Sequence, residues 1–186
     1  AAGSITNTTA NITWVKSVEV STNTLIVIKA GSAPTDPVDN AAAYTANTAM
    51  GSGSDLGSSS FVVAADGTQT VSVTNLLPNT TYYVEAWTYF NGTLCYIGTN
   101  ANITFTTTKN YYYVNDAQTG SETWCSALGK TVVGGATGTT ALPYISIQEC
   151  LDDNTLTAND IIRIDHGTYN TAAENDIQAG DDLDIT

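Results

Sequence analysis

Carboxylates gather toward the C-terminal end of this chain. Asp152 and Asp153 are adjacent, Asp160 follows, and Asp181, Asp182 and Asp184 crowd into "AGDDLDIT". Hard oxygen donors at that density hold calcium when neighbouring turns bring them together, and calcium at Asp181, Asp182 and Asp184 is the one cofactor the chain suggests. No EF-hand loop or G-G-x-G-x-D nonapeptide surrounds them, so solvated turn acids are the competing reading. His166 is the single histidine, a general-base type, but it stands in "DHGTY", where an exposed turn residue is expected. Ser, His and Asp all occur without a G-x-S-x-G elbow, so no triad is expected and no residue is assigned as catalytic.

Cys95, Cys125 and Cys150 are the three cysteines. An odd count leaves one over if any pair forms, and the preferred pair is Cys125 with Cys150 in the same C-terminal segment. Closing that loop of about 25 residues would stabilise by roughly 3 kcal/mol. The alternative is three buried thiols. No C-x-x-C is present and histidine is scarce, which fits no zinc pattern. Five N-x-S/T sequons, at Asn7, Asn11, Asn79, Asn91 and Asn102, are possible glycosylation sites, although a chain rich in Asn and Thr produces several by chance. Trp87, Tyr89, Tyr111 and Tyr112 would make a carbohydrate-stacking surface; packing at a junction between modules is the favoured alternative, because a linker as short as Thr108-Lys109-Asn110 would press two modules together.

The elements that must position these groups are mostly strands. With 186 residues there is room for two modules. Only 12% of residues are charged, and 18 acids against 5 Lys and Arg give a net charge of -13, a surface that repels phosphate backbones and makes nucleic acid an unsuitable partner. Polarity comes instead from Thr, Asn, Ser and Gly, beside many β-branched and aromatic residues: a strand-and-turn composition. No apolar run approaches the roughly 20 residues that span a bilayer, so a soluble chain without membrane insertion is expected. The start Ala1-Ala2-Gly3 is what signal cleavage leaves, and an arbitrary boundary looks the same.

"ANITWVKS" and "TLIVIKAG" read as two paired strands joined by the polar "STNT". Residues 31–60 read as a long loop with one apolar patch around Tyr44. "FVVAA" and "TVSVTNL" follow, with Asp66-Gly67 as a hairpin signal. In "LLPNTTYYVEAW" and beyond, Tyr82, Val84, Ala86 and Thr88 alternate with Tyr83, Glu85, Trp87 and Tyr89, and "NITFTTT" ends the module. Many short alternating strands imply a Greek-key β-sandwich over residues 1–108.

The spacing L-x-P-x-T-x-Y-x-V-x-A, met by Leu76, Pro78, Thr80, Tyr82, Val84 and Ala86, resembles the fibronectin type III signature. That resemblance implies that Tyr82 is a tyrosine-corner residue, that Pro78 turns the chain across the sandwich, and that Trp14 is the core tryptophan of the second strand. The long insertion at 31–60 looks like a variant found in large secreted bacterial surface proteins.

Residues 109–186 have a different composition. "YYYV" reads as a strand, "YISIQECLDD" as a short helix with Ile147, Cys150 and Leu151 one turn apart, and "DIIRID" as a strand before His166-Gly167-Thr168-Tyr169. Tyr112, Tyr113, Val114, Pro143, Ile147, Gln148, Leu151, Ile162, Ile164, Gly167, Thr168 and Tyr169 together resemble the N-terminal cap and first coil or coils of a right-handed parallel β-helix of the pectate-lyase-like group. Catalytic groups of that group lie on later coils, so no role is carried over. The expectation is an all-β, non-enzymatic, extracellular or cell-surface structural and adhesion module of a large bacterial protein. Its partners would be itself, neighbouring domains or surface glycans, with filament building through an open β-helix edge. The alternatives are an N-terminal fragment of a polysaccharide lyase or hydrolase, and a glycan-binding accessory module.

Overall fold

The structure, a computed structural model, describes residues 1–16, 22–39, 43–90, 94–116, 124–129, 131, 134–156 and 160–165. The chain divides into two compact units, Ala1–Thr108 and Lys109–Thr186.

The first unit is a β-sandwich. Its elements are β1 (Ala2–Gly3), β2 (Ala10–Thr13), β3 (Thr22–Ala30), β4 (Phe61–Asp66), β5 (Thr70–Val73), β6 (Thr81–Phe90) and β7 (Tyr96–Thr106). One sheet has the order β1-β2-β5 and the other β4-β3-β6-β7, with every pairing antiparallel. Between them lies a core built by period-two alternation: Ile12, Val71 and Val73 from the smaller sheet face Ile26, Ile28, Val63, Tyr82, Val84 and Phe105 from the larger. Each Val or Ile removed from water there contributes about 1.5 to 3 kcal/mol before ordering costs.

Two pairings read from the sequence differ. β2 does not pair with β3, and β4 does not pair with β5; each couple is divided between the two sheets. Thus Asp66-Gly67 opens a crossing from sheet to sheet, in which Asp66 Oδ1 accepts from the Thr68 N–H at 2.8 Å. Strands adjacent in sequence separate here because each sheet needs apolar residues from both halves of the unit to cover its inner face.

The larger sheet is buried on both faces. β3 therefore carries the unbroken run Leu25, Ile26, Val27, Ile28, where a half-buried strand would alternate. Leu25, Val27, Val62, Trp87, Tyr89 and Tyr96 form a second cluster on its outer side, covered by Tyr44 and Leu56 from the long 31–60 connection. That connection comes very close to β4: a Cβ added to Gly53 would lie 2.0 Å from the Val62 carbonyl oxygen.

The second unit contains β8 (Tyr111–Val114), α1 (Ile147–Asp153) and β9 (Ile161–Ile164). β8 and β9 pair in parallel, Tyr111 opposite Ile161 through Val114 opposite Ile164. Helix α1 starts at Ser146, whose hydroxyl accepts the Glu149 N–H at 3.1 Å, an N-cap worth about 1 kcal/mol. Its Ile147 and Cys150 turn inward to join Val114, Ala136 and Tyr144, with Tyr112, Leu151, Ile162 and Ile164 packed around them. No helix among the described residues is long and apolar enough to cross a membrane.

Candidate functional site

The outer face of the larger sheet is crossed by a strap, residues 35–39. At one end the Thr35 N–H donates to Ser60 Oγ at 2.9 Å and Thr35 Oγ1 donates to the Gly57 carbonyl at 3.0 Å, beside the start of β4. At the other, Asp39 Oδ1 accepts the Tyr96 N–H at 2.7 Å, at the start of β7. Midway, the Val38 N–H donates to the Tyr44 hydroxyl at 3.0 Å. Because β4 and β7 are the outer strands of the sheet, a strap tied to both passes over β3 and β6.

Beneath it lie two of the four aromatics expected at a glycan surface or a module junction, Trp87 and Tyr89. Trp87 and Tyr89 are 8% and 7% exposed, so they are core residues of the first unit, covered by its own insertion. Tyr89 donates its hydroxyl to the Ala65 carbonyl at 2.8 Å, and its ring lies 5.3 Å from that of Tyr96, itself 5.6 Å from Tyr44. Burial, then the neighbouring Tyr44, Tyr89 and Asp39, push the Tyr96 phenol up to about 12.

Glu85 shares this face. It is 7% exposed, and its Oε2 has no hydrogen-bond partner. Burial, then the nearby Asp36 carboxylate, raise its pKa, while the Trp87 indole acts in the opposite direction. The indole Nε1 nevertheless makes no hydrogen bond of ordinary geometry, so that attraction leaves both groups unsatisfied.

Elsewhere in the sandwich, Tyr82 is 1% exposed and its hydroxyl accepts the Leu77 N–H at 2.8 Å. Pro78 lies in the turn before β6, its carbonyl accepting from Thr80 Oγ1 at 2.8 Å. Trp14 stands just past the end of β2, half-buried and packed against the core cluster, with Nε1 lacking a partner. It lines a cleft of about 660 Å³ at one end of the sandwich together with Ile12, Lys16, Ile26, Val84 and Ile103.

In the second unit the expected Cys125–Cys150 disulfide is not formed. Cys150 is 0% exposed in the core under α1, whereas the Cys125 backbone is tied elsewhere, its N–H donating to Asp165 Oδ2 at 2.6 Å. Burial, then Asp153, push the Cys150 thiol up to about 12. Tyr144 donates its hydroxyl to Asp153 and accepts from Asn154 Nδ2 at 3.0 Å. Asp152 accepts from Gln148 Nε2 at 2.8 Å, and Asp160 raises the pKa of Tyr112 after burial does. On the other side of the β8–β9 pair, the Arg163 guanidinium carbon lies 4.2 Å from the Tyr111 ring centre and 4.4 Å from that of Trp124. Trp124 and Tyr111 are 46% and 38% exposed.

Among the sequons, Asn11 on β2 and Asn102 on β7 are exposed, while Asn7 and Asn79 are half-buried. Asn91, His166, Asp181, Asp182 and Asp184 lie outside the described residues. Among the described residues no group of three or more His, Cys, Asp or Glu side chains is placed to hold a metal. Glu85 and Arg163 were not singled out from the sequence. The signal for Glu85 was present, since it is the lone acid alternating with Tyr83, Trp87 and Tyr89 on one strand face.

No protein-family model matches the chain, and no curated protein matches it. A solved structure from the computer-based redesign of a β-sandwich protein is similar at 22% identity over 58% of this chain and 88% of that one, with a TM-score of 0.40.

Proposed function

We propose that this chain is an extracellular structural module, in which a fibronectin type III-like sandwich carries the N-terminal cap and first coil or coils of a right-handed parallel β-helix within a large secreted or surface-anchored bacterial protein. The observation that carries this reading is the in-register parallel pairing of β8 with β9. Parallel neighbours need a long crossover, and here the crossover contains α1, which packs against the inner face of the pair. A sheet extended in this manner is a solenoid, whose coils add by stacking. The sandwich half of the proposal is supported by the three-plus-four strand division and by the Tyr82 hydroxyl bond to Leu77.

The work of such a module is spacing and assembly. Ile161 and Asp165 direct their N–H groups toward β8, accepted by Asn110 and Val114 at 3.0 and 2.8 Å. By the alternation of a strand, the N–H groups of Ile162 and Ile164 point away from it. Among the described residues β9 has a neighbour on one side only, and such an edge adds a further strand. Sedimentation velocity over a broad concentration range tests this: the expected result is a reversible rise in mass with concentration, and a chain that stays monomeric throughout overturns assembly through this edge.

A further inference from the structure

The outer face of the β8–β9 pair holds the one arginine of the chain. Strand alternation sends Tyr112, Val114, Ile162 and Ile164 into the core of the second unit and leaves Tyr111, Tyr113 and Arg163 on the other face, with Tyr113 directly opposite Arg163. The guanidinium carbon stands over three rings, 4.2 Å from the centre of Tyr111, 4.4 Å from that of Trp124 and 5.9 Å from that of Tyr113. Its Nη1 donates to the Tyr113 hydroxyl at a long 3.4 Å. Among the described residues no carboxylate engages the other N–H donors, although the chain carries 18 acids. Trp124 is fixed beside this cation by its backbone. Its own N–H and that of Cys125 both donate to Asp165 Oδ2, at 2.8 and 2.6 Å, and Asp165 is buried directly after β9. The strand that carries Arg163 therefore also leads into the carboxylate that holds the indole next to it.

Rings that served packing alone would be covered, yet Trp124 and Tyr111 are 46% and 38% exposed, beside a cation with donors to spare. We propose that Tyr111, Trp124 and Arg163 bind an anionic glycan, a run of sugar rings bearing carboxylates. The apolar faces of the sugars lie against the indole and the phenol, which present flat, amphipathic surfaces. A carboxylate takes the guanidinium edge in the forked, two-bond geometry that Arg offers and Lys does not. Because Arg163 and Trp124 are already held in place, binding orders little that was free. An acidic peptide is the rival partner, and it differs in effect: it satisfies the guanidinium but brings no sugar face to the rings. With a net charge of -13 the rest of the protein repels an anionic chain, so attachment is confined to this patch and weakens with salt. The site lies on the face of the pair, apart from the β9 edge, and does not depend on assembly through that edge.

The experiment is isothermal titration of the full chain at low ionic strength with a hexasaccharide of alternating glucuronate and N-acetylglucosamine. The same hexasaccharide with its carboxyls reduced to alcohols is the neutral control, and hexaglutamate is the peptide control. The native chain is expected to bind the acidic hexasaccharide about tenfold more tightly than either. Arg163→Lys keeps the charge and loses the fork, and should weaken binding about tenfold. Trp124→Ala removes a stacking face and should weaken it about tenfold as well. If Trp124→Ala opens Cys150 to iodoacetamide, the second unit has come apart, and Arg163→Lys then decides the matter. Three results overturn the site: no binding of the acidic hexasaccharide, equal affinity for the reduced sugar or for hexaglutamate, or an affinity unchanged in both variants, as a site elsewhere on the chain would give.

Discussion

The backbone N–H of Leu77 donates to the hydroxyl of Tyr82 at 2.8 Å, five residues on, while the Tyr82 ring lies 5.6 Å from that of Phe105. The two contacts are separable by substitution. Tyr82→Phe keeps the ring and leaves the Leu77 donor without its partner, for an expected loss of about 1 to 3 kcal/mol. Tyr82→Ala also opens a cavity in the core and should cost about 3 to 5 kcal/mol. Urea unfolding of both variants checks the order; no loss in Tyr82→Phe would mean that the hydroxyl bond contributes nothing, and equal losses that the ring adds nothing to it.

Stability should fall in alkali. The phenols of Tyr96 and Tyr144 are both pushed up to about 12 from an ordinary 10.0, chiefly by burial, so the folded state holds their protons more tightly than the unfolded chain does. A raised acid contributes its full stability below the unfolded value and loses it as pH rises toward the folded one. The denaturation midpoint should therefore hold steady from neutrality to about pH 9, where the Cys150 thiol, raised from 9.0 to about 12, adds to the phenols, and decline from there to about 12. A flat profile across that window would show that neither phenol is buried.

The alternation from Tyr82 to Tyr89 was legible because a strand has period two, and the faces it implied are the ones observed. The helix around Ile147 was legible from the one-turn spacing of Ile147, Cys150 and Leu151. Strand partners were not. Adjacency in sequence suggested that β2 pairs with β3, but here some consecutive strands pair and others change sheets, and local pattern carries no record of that choice. The run Leu25 to Ile28 was read only as one strand of a pair, although four consecutive apolar residues are the pattern of a strand covered on both faces. What covers it could not be read, because the contact that anchors the strap joins Asp39 to Tyr96 across 57 residues.

The tightness of that cover can be tested at Gly53. An added Cβ would lie 2.0 Å from the Val62 carbonyl oxygen and 3.2 Å from the Asn47 nitrogen, the two atoms that hydrogen-bond to each other at 3.1 Å. Backbone atoms cannot yield as a flexible side chain can, so Gly53→Ala should cost about 1 to 3 kcal/mol by overpacking. It should also loosen the layer over Trp87, seen as stronger acrylamide quenching. Gly3→Ala, with nothing within 4 Å of the new atom, is the matched control. Equal behaviour of the two would refute the close approach.

Cys150 supplies a chemical test of the second unit. Its sulfur is sealed beneath α1 and its pKa is pushed up to about 12, so both access and thiolate formation oppose alkylation near neutral pH. In the native chain, iodoacetamide should leave Cys150 unmodified. After unfolding in denaturant without any reductant, all three cysteines should take up label, since no disulfide holds Cys125 to Cys150. Peptide mass spectrometry separates the possibilities. Label on Cys150 in the native chain would mean that the helix does not cover it. Label confined to Cys95 after unfolding would restore the disulfide, and with it a covalent clamp between the loop after β8 and the helix that caps the inner face.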